Sequence, residues 1–179
     1  MITEQADRCK RIVSGLLHFA RQNKVSFHPT DLRDLVKKAL QSAPAPSGIE
    51  VQVQHDLKNP MADLDGDQIV QVLVNLITNA YAAMPKGGSL AVYTSDTEAY
   101  VRVRLHDTGV GISPEHRKKI FEPFFTTKEV GKGTGLGLAV TYGIVKMHRG
   151  DIQVDSNNDP QAGPTGTSFT ITLPRRGAE

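Results

Sequence analysis

The segment DTGVGISPEHRKKIFEPFFTTKEVGKGTGLGL, residues 107–138, is where this chain concentrates its chemistry. Its glycines fall in two tight groups, Gly109 and Gly111, then Gly131, Gly133, Gly135 and Gly137. Glycine is costly inside regular structure and is used where a backbone must turn left-handed or come close to a ligand. Alternation at two separate places predicts two backbone contacts with one ligand, not merely a flexible loop. Arg117, Lys118, Lys119, Lys128 and Lys132 lie among them, so the expected ligand carries phosphate.

Outward from this segment the periodicity is plain. Residues 99–106 alternate Val101, Val103 and Leu105 with Arg102, Arg104 and His106, and Ser89 to Asp96 puts Leu90, Val92 and Thr94 on one face. Both are strands, and the turn near Asp96-Thr97 predicts an antiparallel pair. Downstream, Leu138 to Met147 is a helix, and Asp151–Asp155 and Thr167–Leu173 are strands joined by a loop rich in Asn, Gly and Pro.

Upstream, Asp65-Gly66-Asp67 caps a helix running from Gln68 to Met84 that is apolar nearly all round. Its polar residues include Gln71, Asn75 and Asn79, four apart on one line. A solvent face would use Glu, Lys or Arg, which favour helix; asparagine does not. The stripe is expected to face something polar that is neither bulk water nor core. Earlier still, Ala62-Asp63-Leu64 reads as a brief strand and Ile49–Gln54 as a strand with period two. Thr30 is expected to cap a helix from Asp31 to Ala43, after a break at Phe27-His28-Pro29. Residues 2–23 read as an amphipathic helix with Ile12, Leu16 and Phe19 on one stripe; His18 beside it is read as a packing residue. The expected class is α+β: a two-layer sandwich of one mixed, mostly antiparallel sheet with helices on one face, plus an N-terminal helix.

The bulk numbers exclude several functions. A formal charge of +2, without long basic runs, argues against nucleic-acid binding. Cys9 is the only cysteine, so no internal disulfide forms and a reducing compartment is expected. No apolar run is long enough for a membrane span, and the expectation is a soluble, cytoplasmic chain without direct membrane contact.

The glycine groups do not spell the common phosphate loops. A Walker pattern needs Lys-Ser/Thr after its last glycine, whereas Gly131-Lys132 is followed by Gly133. The dinucleotide pattern G-x-G-x-x-G fails because Pro114 and Leu138 stand where the third glycine should be. What the chain shows instead is four ordered elements. They are Asn75 and Asn79 on a helix, Asp107-x-Gly109-x-Gly111, Phe121-Glu-Pro-Phe-Phe-Thr-Thr-Lys128, and Gly133-Thr134-Gly135-Leu136-Gly137-Leu138. Together they closely resemble the N, G1, F and G2 boxes of the ATP-binding catalytic domain of two-component sensor histidine kinases, nearest in look to the nitrogen-regulation type. The wider resemblance is to the Bergerat-type ATPase fold of gyrase, Hsp90 and MutL, and it covers about residues 30–174.

The resemblance implies ATP and Mg²⁺ as cofactors and assigns roles. Asn79 would offer its side-chain oxygen to Mg²⁺, and Asn75 would lie near the same phosphates. Asp107 would accept a hydrogen bond from the adenine amino group, with Gly109 and Gly111 leaving room for the ring. Gly133, Thr134, Gly135, Leu136, Gly137 and Leu138 would present a helix start to the phosphates, and Thr167 would join the ATP-binding set. Lys128 would reach phosphate directly, and Asn75 and Lys128 are the residues expected to act in catalysis. Residues 112–132 would be a lid over the nucleotide, anchored by Phe121, Phe124 and Phe125.

Gyrase-type hydrolases carry a glutamate four residues before the metal asparagine, as base for the attacking water. Here that position is Asn75, which favours phosphoryl transfer over hydrolysis. His55-Asp56-Leu57-Lys58-Asn59-Pro60 imitates the family's acceptor box, but Ile49–Gln54 alternates like a strand where that box needs a helix, so His55 is rejected. Residues 1–24 are expected to be the end of the dimerisation and phosphoacceptor hairpin, and 25–179 the ATP-binding domain. The acceptor histidine would then lie upstream of Met1. The implied partners are that hairpin, within a homodimeric parent, and the receiver domain of a response regulator. A serine kinase of the anti-sigma-factor type, or a nucleotide-binding module on the same fold, are the alternatives.

Overall fold

A computed structural model of the chain describes residues 24–128 and 133–176. In chain order the elements are β1 (His28–Asp31), α1 (Leu32–Ser42), β2 (Ile49–Asp56), β3 (Met61–Leu64), α2 (Gly66–Ala83), β4 (Gly88–Asp96) and β5 (Tyr100–Asp107). The short α3 (Pro114–Arg117), α4 (Gly137–Met147), β6 (Asp151–Asn157) and β7 (Gly166–Pro174) follow. The expected helix over 2–23, with His18, lies outside the described residues.

Five strands make the main sheet, in the order β2-β4-β5-β7-β6. The β4–β5 hairpin is antiparallel, as its turn predicts, and so are β5–β7 and β6–β7. Only β2–β4 is parallel, because β3 and α2 carry the chain back across the sheet between them. The expected single sheet is corrected in one respect: β1 and β3 form a separate antiparallel pair. Phe27-His28-Pro29 is thus the entry to a strand, not simply a break. Pro29 is tolerated there because a two-stranded ribbon is all edge, and a ring lacking a donor costs nothing on a free side.

The cap of α1 also differs from expectation. Thr30 belongs to β1 and its hydroxyl donates to the His28 carbonyl at 2.8 Å. Asp31 is the capping residue, its carboxylate accepting the Arg33 N–H at 2.9 Å.

Alternation decides the layers. Leu90, Val92, Val101, Val103, Leu105, Ile171 and Leu173 are buried under the helices. Arg102 and Arg104, their neighbours on β5, are exposed on the open face. Against the inner face lie Val72, Leu73, Leu76 and Ile77 of α2 and Ile144 and Val145 of α4, all 1% exposed or less. Arg175, just past β7, ties the two sheets together. It pairs with Asp96 and donates to the carbonyls of Thr97 at 2.8 Å and Met61 at 2.7 Å. The main-chain N–H groups of Lys58 and Asn59, together with Arg175, hold the Asp96 carboxyl below its ordinary range. Among the described residues no helix is long and apolar enough to cross a membrane.

Candidate functional site

Helix α2 is the ruler of the site. At its C-terminal end Gly109 packs so closely on Ala83 that a Cβ there would lie 2.6 Å from the Ala83 carbonyl oxygen. Two turns earlier, Asn75 lies against Gly137 at the start of α4, where a Cβ would be 3.9 Å from the Asn75 amide carbon. The eight residues from Ala83 back to Asn75 span roughly 12 Å at the helical rise. Between these contacts opens a cleft of about 820 Å³.

At one end sits Asp107, 4% exposed at the end of β5. Its carboxylate accepts the Gly109 N–H at 2.9 Å. Burial pushes its pKa above the ordinary carboxylate value, while the main-chain N–H groups of Gly109 and Thr167 pull the other way. Thr167 is its cross-strand neighbour on β7, buried and also lining the cleft. A buried carboxylate on an apolar floor with Val110, Ile112 and Phe169 suits a flat ring bearing a hydrogen-bond donor.

The other end is made of main chain. Gly133, Thr134, Gly135, Gly137 and Leu138 line it. The first turn of α4 has no side-chain cap, so its N–H groups and the positive end of its dipole are left for a ligand. Gly135 has φ +67°, and a Cβ would collide with the Phe124 backbone at 2.4 Å. Phe124 is itself left-handed, φ 67°, and its N–H donates to the Gly135 carbonyl at 2.9 Å, which staples the Phe-rich segment to the glycine turn. Gly137 is different: nothing in the fold crowds its missing side chain, yet it faces the cleft.

Asn79 lines the cleft, and the Lys128 ammonium makes a long contact with its amide oxygen at 3.5 Å. Among the described residues no cluster of three or more His, Cys, Asp or Glu could hold a metal ion. One neutral oxygen beside an ammonium fits a cation that brings most of its ligands with it, as Mg²⁺ on polyphosphate and water does. Asn75 does not line the cleft. Its amide nitrogen donates to the Gly137 carbonyl at 3.2 Å and lies 3.5 Å from the Thr141 hydroxyl, pinning α4 to α2.

Of the expected ATP-binding residues, Asn79, Asp107, Gly111, Lys128, Gly133, Thr134, Gly135, Gly137, Leu138 and Thr167 line one cleft. Asn75, Gly109 and Leu136 stand just behind it; the Leu136 N–H donates to the Thr134 hydroxyl at 3.4 Å. Gly131 and Lys132 lie outside the described residues. Phe125 lines the cleft and meets His116 edge-on at 5.6 Å, while Phe121 packs on Tyr142 at 5.3 Å. His116 and Asn158 also line the cleft and were not expected there. His116 sits in a short helix near the start of the presumed lid, and Asn158 in a loop remote in sequence; neither has a local pattern. His55 lies on β2, as the alternation of its neighbours predicts, with Nδ1 2.7 Å from the Thr94 hydroxyl. The titratable side chains lining the cleft, among the described residues, are Asp107, His116 and Lys128.

Residues 64–177 match the family described as histidine kinase-, DNA gyrase B- and HSP90-like ATPase. The chain is 40% identical to the sensor kinase CckA of Brucella abortus (strain 2308) over 97% of its own length, spanning 20% of that protein. It resembles the solved mycobacterial sensor histidine kinase MprB with a TM-score of 0.73 and 30% identity, covering 85% of this chain and 99% of that one. It also resembles the histidine kinase ThkA solved in complex with the response regulator protein TrrA, with a TM-score of 0.76 and 26% identity over 97% of this chain and 49% of that one.

Proposed function

The chain belongs to the histidine kinase-, DNA gyrase B- and HSP90-like ATPase family, and on that premise we propose that it binds Mg-ATP and transfers the γ-phosphoryl group to a histidine. That histidine would stand on a helical hairpin of the parent kinase, for relay to a response-regulator receiver domain. In this reading residues 1–24 are the end of the hairpin and 25–179 the catalytic domain. The parent acts as a homodimer with Mg²⁺ as its metal, and this domain works in the cytoplasm.

The observation that carries the proposal is how the cleft distributes charge. Its one carboxylate among the described residues, Asp107, lies on the Ala83 side, suited to an adenine amino group. The far end offers uncapped N–H groups of α4 and the Lys128 ammonium. Phosphoryl transfer asks mainly for positioning and for neutralised charge, which these groups supply. A bound Mg²⁺, held on the protein side by Asn79, would add positive charge at the phosphate oxygens. Among the described residues no carboxylate lines the phosphate end to activate water, which favours another nucleophile over hydrolysis.

The test is to incubate the chain with γ-labelled Mg-ATP and a separately supplied acceptor-hairpin fragment. Acid-labile label on the fragment's histidine is the expected result. Acid-stable label on serine would point instead to a serine kinase, and binding without transfer to a nucleotide-binding module. Asn79→Ala should weaken Mg-ATP binding by about tenfold or more, since a hydrogen bond or ligand to a charged group contributes roughly 1.5–3 kcal/mol. An unchanged titration would remove Asn79 from the metal role.

A further inference from the structure

Residues 24–27 cross the N-terminal end of α2 beside the C-terminal end of α4, and hydrogen bonds run through them in series. The Ser26 N–H donates to one oxygen of Asp65 at 3.1 Å. The other oxygen of Asp65 caps α2 by accepting the Gln68 N–H at 3.2 Å. The N–H of Asp65 itself donates to His148 Nε2 at 3.1 Å, and His148 Nδ1 donates to the Ile144 carbonyl at 2.8 Å. An amide N–H only donates and a carbonyl only accepts, so the imidazole is neutral, with its proton on Nδ1. Phe27 closes over it edge-on at 5.5 Å, and His148 is 2% exposed.

Beside this series stands an unbalanced group. Gln68 is 8% exposed, and its amide nitrogen reaches the Lys24 carbonyl over a long 3.4 Å. Its oxygen is buried and, among the described residues, has no partner. A buried amide oxygen without a donor is costly to keep. Turning the amide over would set that oxygen against the Lys24 carbonyl, so the orientation is fixed. The oxygen is therefore an open acceptor beside the linker.

We infer that Asp65, Gln68 and His148 form a seat for the chain's own linker, residues 24–27, and that this seat couples the linker to the phosphate-facing end of α4. His148 is the C-cap of α4, and a rigid helix of eleven residues transmits a tilt at His148 to Gly137. In the arrangement seen, Gln68 Oε1 is open; a shifted linker would fill that oxygen at the expense of the Lys24 contact. Coupling of this kind is reciprocal. Filling the cleft would bias the linker, and moving the linker would bias the cleft. That consequence rests on the nucleotide-binding reading; the seat itself does not.

The test measures amide hydrogen exchange in the full chain without nucleotide. Ser26→Pro removes the N–H given to Asp65, and Gln68→Met removes the Lys24 contact while keeping helix propensity. Each should speed exchange at Val140 and Thr141 by about threefold or more. The Val140 N–H makes the first hydrogen bond of α4, to the Leu136 carbonyl at 2.9 Å. In a His148→Phe background, which keeps an aromatic ring against Phe27, the same substitutions should leave those two amides unaltered. Unchanged exchange at Val140 and Thr141 in both variants overturns the proposal. So does an acceleration that persists in the His148→Phe background, or one shared equally by Val103 and Ile171 in the sheet, which would be global loosening. A parallel Mg-ADP titration keeps the two readings apart: failure to bind would sink the nucleotide site while the exchange result still decides the seat.

Discussion

Gly137 separates what the fold needs from what the ligand needs. Gly109 and Gly135 are demanded by the backbones of Ala83 and Phe124, whereas a Cβ on Gly137 would meet only Asn75, at ordinary contact distance. Gly137→Ala is therefore expected to leave the fold intact, and to raise its stability by up to about 1 kcal/mol through better helix propensity. The same methyl enters the cleft where phosphate would lie, so Mg-ATP affinity should fall by about tenfold or more, roughly 1.4 kcal/mol. Urea unfolding and nucleotide titration read the two effects, and an unchanged affinity would mean that no ligand approaches Gly137. At this scale much was legible: Asn79 and the glycines stood out because their types are wrong for ordinary helix or strand, and Asp107 and Lys128 were singled out by the family resemblance. What was not legible were the partners. That Asn75 holds α4 to α2, and that His116 and Asn158 face the cleft, depends on elements brought together from distant parts of the chain.

The helix α4 does two jobs, and they are joined. Its inner side, with Ile144 and Val145 fully buried, builds the core, while its first turn lines the cleft. Ile144→Ala should cost about 2–5 kcal/mol, read as a lower urea midpoint. Saturating Mg-ATP should return part of that loss, because a ligand that binds only the folded state stabilises it. A variant unfolding at the wild-type midpoint would contradict the packing described. Periodicity and apolar runs predicted α4, α2 and the five strands of the main sheet well, since each is long enough to carry a pattern. β1 escaped because four residues containing a proline carry no period; its partner β3 and the Arg175 bridge make it a strand. The cap of α1 moved from Thr30 to Asp31 because the helix starts at Leu32, and the Thr30 hydroxyl bonds back to the His28 carbonyl instead.

Across the whole molecule two buried titratable groups oppose each other. Burial lowers the pKa of His148 below 6.5. Its contribution to stability is present above the unfolded value of 6.5 and is lost as pH falls through the lowered folded value. Burial raises Asp107 above 3.8, so its contribution is full below 3.8 and is lost as pH rises through the raised value. Wild-type stability should therefore fall on acidification below 6.5, and His148→Phe should flatten that limb. Urea midpoints measured at steps from pH 8 to pH 5 check this; an equal slope in the variant would locate the dependence elsewhere. The sheet order carries another consequence. β7, the last strand in sequence, is inserted between β5 and β6 and brings Thr167 beside Asp107. During synthesis the chain emerges N-terminus first, so the helices and the β4–β5 hairpin can form while the floor of the cleft is still missing its central plank. A nascent chain can complete the floor of the cleft only once β7 has been synthesised, which makes the closed floor a report that the domain is finished.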